Sequence, residues 1–146
     1  MKELAWEMAE THRMMRRFYD RGASVLGVTS AQWRLLLRLA REPGLKQVEL
    51  AERLDVEPIT ACRIVDRLED AGLVERQRDP EDRRAWRLVL TAKAAPILEK
   101  LRLLAEEMSA EAFAGLSSDE VENMRAVLAR VRENVSRAEI AQKVSA

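Results

Sequence analysis

One change of period constrains this chain more than any other feature of it. From Gln47 to Ala71 the apolar residues recur at helical spacing, and from Leu73 to Thr91 they alternate. Gln47 to Leu54 carries Val48, Ala51 and Leu54 on one helical face, and Asp55-Val56-Glu57 makes a tight turn. Pro58 restarts the helix at a position where its missing N–H is not needed. That second helix carries Ile59, Cys62, Ile64, Val65, Leu68 and Ala71, and Gly72 ends it as the residue just past the last turn. Leu73–Arg78 and Trp86–Thr91 then read as half-buried strands, with Trp86, Leu88 and Leu90 on one face. The charged segment Asp79-Pro80-Glu81-Asp82-Arg83-Arg84-Ala85 joins them as an exposed tip with a proline turn signal. Helix, turn, helix, hairpin is the order of a winged helix-turn-helix.

Helices flank this module. Leu4, Met8, Thr11, Met15, Phe18 and Val25 mark one over Glu3–Ser24. Thr29 and Gln32 form a capping box ahead of a second, whose expected stripe is Trp33, Leu36, Leu37 and Ala40 and which Pro43-Gly44 stops. After the hairpin, Thr91 is the expected cap of a long helix with Ile97, Leu98, Leu101, Leu104 and Met108, bent mildly at Pro96. Ser117 and Glu120 open the last helix with a further capping box, and Val121, Met124, Leu128, Val131 and Val135 form its stripe. The small polar tail after Arg137 is expected to fray. The fold class is therefore mainly α with a small β-hairpin wing (α+β). Residues 1–28 would be an N-terminal dimerisation helix, 29–91 the winged helix-turn-helix and 92–146 the C-terminal dimerisation helices. A partner chain is one way to cover the apolar stripes of the terminal helices.

A hydrophobic fraction of 47% can build a core, while 34% charged residues demand a large solvated surface. Formal net charge is zero, so any pull toward nucleic acid must come from local arrangement. The single cysteine, Cys62, leaves no intramolecular disulfide and fits a reducing cytoplasm. No apolar run approaches the roughly 20 residues a bilayer span needs, and no cationic-then-apolar leader opens the chain. One His and one Cys cannot close a tetrahedral metal site, so no metal or other cofactor is expected. There is no Gly-rich phosphate loop and no nucleophile elbow, and His12 has no nucleophile or orienting carboxylate near it in sequence. An enzyme is not expected.

The helix opened by Pro58 would lie in the major groove of duplex DNA, where each base pair shows a distinct set of donors and acceptors. Pro58, Ile59, Thr60 and Arg63 stand near its start, and Arg67 lies one turn on. Thr60 can hydrogen-bond a base edge or phosphate, Ile59 can meet a thymine methyl, and Arg63 suits a guanine. Arg67 is aimed better at phosphate. The plainer alternative is a solvated face in which Arg63 and Arg67 pair with Asp66, Asp70 or Glu69. At the hairpin tip Arg83 and Arg84 supply the permanently charged fork that a narrow, electronegative minor groove accepts. Arg76, Arg78 and Arg87 back them along the strands, and Asp82 is near enough in sequence to orient the Arg84 guanidinium. The alternative there is a polar loop kept soluble by mixed charge.

The run Asp79-Pro80-Glu81-Asp82-Arg83-Arg84, followed by Leu88, Leu90 and Thr91, resembles the wing signature of the MarR (multiple antibiotic resistance regulator) family. Gln47 to Leu54, Thr60 to Leu73 and Thr29-Ser30-Ala31-Gln32-Trp33 are also similar to that family's helices, so the likeness covers nearly the whole chain. It implies a cytoplasmic, homodimeric transcriptional regulator, most often a repressor, that binds palindromic double-stranded DNA. It places Arg84 in the minor groove with Asp82 as its support, and Thr60 and Arg63 in the major groove. It further implies release from DNA by a small aromatic or phenolic acid. Trp6, His12, Arg16, Tyr19 and Trp33 are the candidate lining residues, set against a plain reading in which Trp33 is core, Arg16 is surface and His12 is an exposed helix residue. The alternative functions are redox sensing through Cys62, weighed against Cys62 as a small buried hydrophobe, and a winged-helix protein-interaction module that does not bind DNA. Two positions depart from the pattern: Lys46-Gln47 lacks a Ser or Thr cap, and Glu57 replaces a better cap before Pro58.

Overall fold

In the computed structural model, which describes residues 2–144, the element order is α1 (Lys2–Ser24), α2 (Ser30–Arg41), α3 (Gln47–Leu54), α4 (Pro58–Asp70), β1 (Val74–Arg78) and β2 (Trp86–Leu90). A single 3-10 turn (Ala92–Ala94) leads into α5 (Ala95–Ala112), and α6 (Ser118–Val144) follows. This is the expected mainly helical fold with one antiparallel hairpin.

Local chemistry sets the boundaries. Thr29 Oγ1 accepts from Gln32 N (3.3 Å) while Gln32 Oε1 accepts from Thr29 N (3.0 Å), the reciprocal box expected for α2. The same exchange opens α6 between Ser117 and Glu120. The weak cap of α3 is compensated: Lys46 offers no side-chain acceptor, but the Glu49 carboxylate accepts from Lys46 N at 2.8 Å. Asp55 turns the chain between α3 and α4 in the left-handed region (φ 53°), which a short polar side chain tolerates. Gly72 (φ 72°) does so after α4, where Leu73 N donates back to Leu68 O at 2.8 Å.

The core gathers where α2, α3, α4 and the hairpin meet. Leu35, Leu36, Leu39, Leu50, Leu54, Ile64, Val65, Leu68, Val74 and Leu88 are all buried in it, as are Ala94 and Leu101. Each such aliphatic side chain contributes on the order of 1.5–3 kcal/mol relative to exposure. The hairpin pairs Val74 with Leu90, Arg76 with Leu88 and Arg78 with Trp86. Its outer strand is not a free edge: Leu88 N donates to Leu45 O (3.0 Å) and Lys46 bridges Arg87, so the segment before α3 seats the wing. At the opposite end of this core α1 approaches α5 closely. A Cβ on Gly22 would collide with Met108 Sδ.

Several details differ from expectation. The buried stripe of α2 is Leu35, Leu36 and Leu39 rather than Trp33, Leu36, Leu37 and Ala40, because α2 packs against both α3 and β2 and so turns its most apolar face to them. Val48 is exposed although its spacing is helical and apolar; on α4 the buried positions are Ala61, Ile64, Val65 and Leu68, which leaves Ile59 in solvent as a DNA-facing role requires. Thr91 does not cap a helix through its side chain: its hydroxyl donates to Gly72 O at 2.6 Å and ties the end of the hairpin to the end of α4. Pro96 falls in the first turn of α5, where no backbone bond is lost, so the expected bend has no cause. The expected fraying after Arg137 is not seen among the described residues, where α6 continues to Val144; the last two positions lie outside them.

By internal packing the chain forms two compact units, one running to Ser109 and one from Ala110 onward. In the first, α1 leaves Leu4 and Trp6 exposed; in the second, α6 leaves Met124, Val127, Val135 and Ile140 exposed. Among the described residues no helix is long and apolar enough to cross a membrane.

Candidate nucleic-acid interface

The face of α4 opposite its buried side presents Pro58, Ile59, Thr60, Arg63 and Arg67, all exposed. Ile59 is 61% exposed, although two positions on, at Ala61, the helix is sealed in the core. Arg63 and Arg67 make no ion pair among the described residues, so the pairing with Asp66, Asp70 or Glu69 that would have marked a merely solvated face does not form. The partner of Asp66 and Glu69 is instead Arg76, which reaches over from β1.

At the wing the five arginines divide into two groups. Three were expected to back the tip and instead bind the protein itself. Arg76 pairs with Asp66 and Glu69 and donates to Gln47 Oε1 at 3.1 Å. Arg78 lies 4.0 Å over the Trp86 ring and donates to Arg83 O at 2.8 Å. Arg87 Nε donates to Asp79 Oδ2 at 2.8 Å. Only Arg83 and Arg84 remain exposed and without a partner for their guanidinium groups among the described residues. Asp82 acts on Arg84 differently from expectation: its Oδ1 accepts from Arg84 N at 3.0 Å, so it shapes the backbone of the tip and not the guanidinium.

The residue that organises the tip is Asp79, which sequence reading passed over as one more charge in a polar loop. It is the buried charged side chain of the described core, 2% exposed. Oδ1 accepts from Glu81 N (2.8 Å) and Asp82 N (3.0 Å), while Oδ2 takes Arg87 and lies 3.6 Å from Lys46 Nζ. The hydrogen bond from Arg87, reinforced by the two backbone N–H groups, holds this carboxyl well below the usual carboxylate range. An aspartate immediately before Pro80, with two N–H groups following, is the available signal; Asx-type turns use that spacing. Asp79 knots the tip so that Arg83 and Arg84 project from an ordered loop.

The candidate effector residues are not all brought together. His12 and Trp33 line an open groove of about 360 Å³ with Arg34, Leu37, Arg38, Arg41, Arg53 and Leu54. Tyr19 and Trp33 border a much smaller space of about 20 Å³ with Leu101 and Leu104. Tyr19 Oη hydrogen-bonds Ser109 Oγ (2.8 Å), Trp33 Nε1 donates to Asp20 Oδ1 (2.9 Å), and Arg16 Nε lies 4.0 Å from that same carboxylate's Oδ2. Trp6 is 74% exposed and borders neither space. Cys62 is half-buried rather than sealed in the core: its Sγ lies 3.7 Å from Arg76 Nη2 and 3.9 Å from Asp66 Oδ2.

A model of the MarR family matches residues 28–86, from just before α2 to the start of β2. Among solved structures, the transcriptional regulator PA3341 is similar over 92% of this chain and 98% of its own, at 36% identity and a TM-score of 0.85. A structure of MarR is 34% identical over 92% of this chain and 98% of that one, with a TM-score of 0.74. A MarR variant from E. coli complexed with operator DNA is 28% identical, covers 88% of this chain and 93% of its own, and has a TM-score of 0.76. With the hairpin, the exposed α4 face and these likenesses in agreement, the chain belongs to the MarR family of transcriptional regulators.

Proposed function

We propose that this regulator binds a palindromic operator as a homodimer, laying α4 in the major groove and the tip of the hairpin in the minor groove. The observation that carries this reading is the charge selection just described. On α4 and the hairpin, the arginines whose guanidinium groups have no intramolecular partner among the described residues are Arg63, Arg67, Arg83 and Arg84, and all lie on exposed positions. Pro58, Ile59 and Thr60 face base edges with Arg63; Arg67 lies toward phosphate; Arg78, held over Trp86, supports the tip rather than contacting DNA; Arg84 enters the minor groove beside Arg83, on a backbone shaped by Asp82. Residues 1–28 and 92–146 supply the dimerisation frame and 29–91 the DNA-binding module. Occlusion of a promoter, hence repression, is the regulatory outcome. The E. coli relative complexed with operator DNA supports the duplex as partner.

The groove at His12 and Trp33 is the best supported place for a small aromatic or phenolic acid, since an apolar floor of Trp33 and Leu37 lies beside Arg34, Arg38, Arg41 and Arg53. An effector held there changes the separation of the two recognition helices, which must match half-sites about 34–36 Å apart. The test is a salt titration of binding to a duplex from the intergenic DNA next to the gene, followed by a screen of aromatic acids. Affinity should fall steeply and linearly in log–log form as counterions are released. Indifference to every duplex at low ionic strength would remove the DNA reading; unchanged affinity at saturating effector would remove only the switching part.

A further inference from the structure

The guanidinium of Arg76 lies beneath the proposed DNA-facing surface without belonging to it; its side chain is 16% exposed. It springs from β1 and reaches two other elements. Nη2 donates to Asp66 Oδ1 (2.5 Å) and Nη1 to Glu69 Oε2, both on α4, while Nε donates to Gln47 Oε1 (3.1 Å) at the start of α3. The Arg76 backbone N–H also donates to Glu69 Oε1 at 3.1 Å. All three nitrogens of one rigid fork are therefore engaged, and the hairpin is fastened to both helices of the helix-turn-helix. A lysine has no geometry for this.

The second consequence concerns charge. Asp66 stands three residues after Arg63, the spacing at which a carboxylate captures an arginine on a helix surface. It does not do so here: Asp66 pairs with Arg76, and Arg63 has no partner among the described residues. We propose that Arg76 is a positioning residue for DNA readout: it withholds Asp66 from Arg63 while locking the wing to α4. It does this without touching DNA. Removing it leaves Glu69 without its counter-charge and frees Asp66 to pair with Arg63.

This inference rests on the DNA-binding reading above, and the experiment separates the two. Binding to the intergenic duplex is measured for the wild-type protein and for Arg84→Ala, Arg76→Gln, Arg76→Lys and the double variant Arg76→Gln/Asp66→Asn, with helicity and thermal midpoint recorded for each. Arg76→Gln is expected to lose about tenfold or more in affinity while remaining folded. Adding Asp66→Asn should recover much of that loss, because no carboxylate is left to capture Arg63; a purely structural role predicts no recovery. Arg76→Lys, which keeps the charge and loses the fork, should fall between wild type and Arg76→Gln, and it carries the comparison if Arg76→Gln does not fold. Wild-type affinity in folded Arg76→Gln, or a loss that Asp66→Asn leaves untouched, overturns the inference. If the wild-type protein binds no duplex, the functional reading fails first; if it binds and only Arg84→Ala is weakened, the inference alone fails.

Discussion

An arginine in this protein is defined by its partner rather than by its position in the hairpin. Arg78 and Arg87 are as close to the wing in sequence as Arg83 and Arg84, yet one is spent on Trp86 and the other on Asp79. Arg84→Ala should therefore weaken operator binding by roughly 1–3 kcal/mol and leave thermal stability and oligomeric state unchanged. Fluorescence anisotropy beside a melting curve reads both; an unaltered affinity would remove Arg84 from the interface. Asp79 makes a prediction of the opposite kind, in stability. Its carboxyl is held below its ordinary value in the folded protein, so it stabilises above an unfolded pKa of about 3.9, and that contribution declines as pH falls toward the folded value. Asp79→Asn keeps an oxygen for the Glu81 and Asp82 N–H groups but loses the charge facing Arg87 and Lys46. Its thermal midpoint should be lower than wild type at neutral pH, with the gap closing as the solution is acidified. A gap independent of pH would mean the ion pair is not the source.

At the scale of elements, α4 is held by what surrounds it rather than by its own caps. Glu57 makes no side-chain capping bond, and Pro58 contributes only a preset φ. Definition comes from the other end, where Gly72 closes the helix and its carbonyl accepts from the Thr91 hydroxyl. Gly72 sits at φ 72° and has room for a methyl group, since a Cβ there would meet Lys93 Cδ at an ordinary 3.5 Å. Gly72→Ala should cost about 1–2 kcal/mol from backbone strain alone, read from chemical denaturation. A neutral result would show that the junction relaxes out of the left-handed region. The hairpin is secured on both strands, by α4 through Arg76 and by Leu45–Lys46 along β2, which suits a tip that must project while its base stays still.

The molecule as a whole exposes more large apolar side chains at its ends than a lone helical chain needs. Val135 is 53% and Ile140 60% exposed on α6, and Trp6 is 74% exposed on α1. The proposed dimer frame would cover them, because a second copy supplies apolar surface at no cost in unsatisfied backbone. Val135→Glu should shift sedimentation from dimer toward monomer while helicity is kept, and operator affinity should fall sharply as the two half-site contacts become independent. A Val135→Glu protein that sediments as wild type would place the interface elsewhere.

How much of this was legible beforehand divides along one physical line. Features encoded within a few residues of each other could be read directly: the Thr29–Gln32 and Ser117–Glu120 boxes, Pro58 and Gly72 at the ends of α4, the hairpin and its charged tip. Those depend on backbone geometry and side-chain periodicity, which act at short range. The chain alone thus determined the fold class, the family and the face of α4 that stays in solvent. What only tertiary structure decided is which charges are spoken for. Arg76 meets Gln47 across 29 positions of sequence and Arg87 meets Asp79 across 8. No local pattern distinguishes either from Arg83 or Arg84, because an ion pair forms according to distance in space, and folding, not spacing, sets that distance.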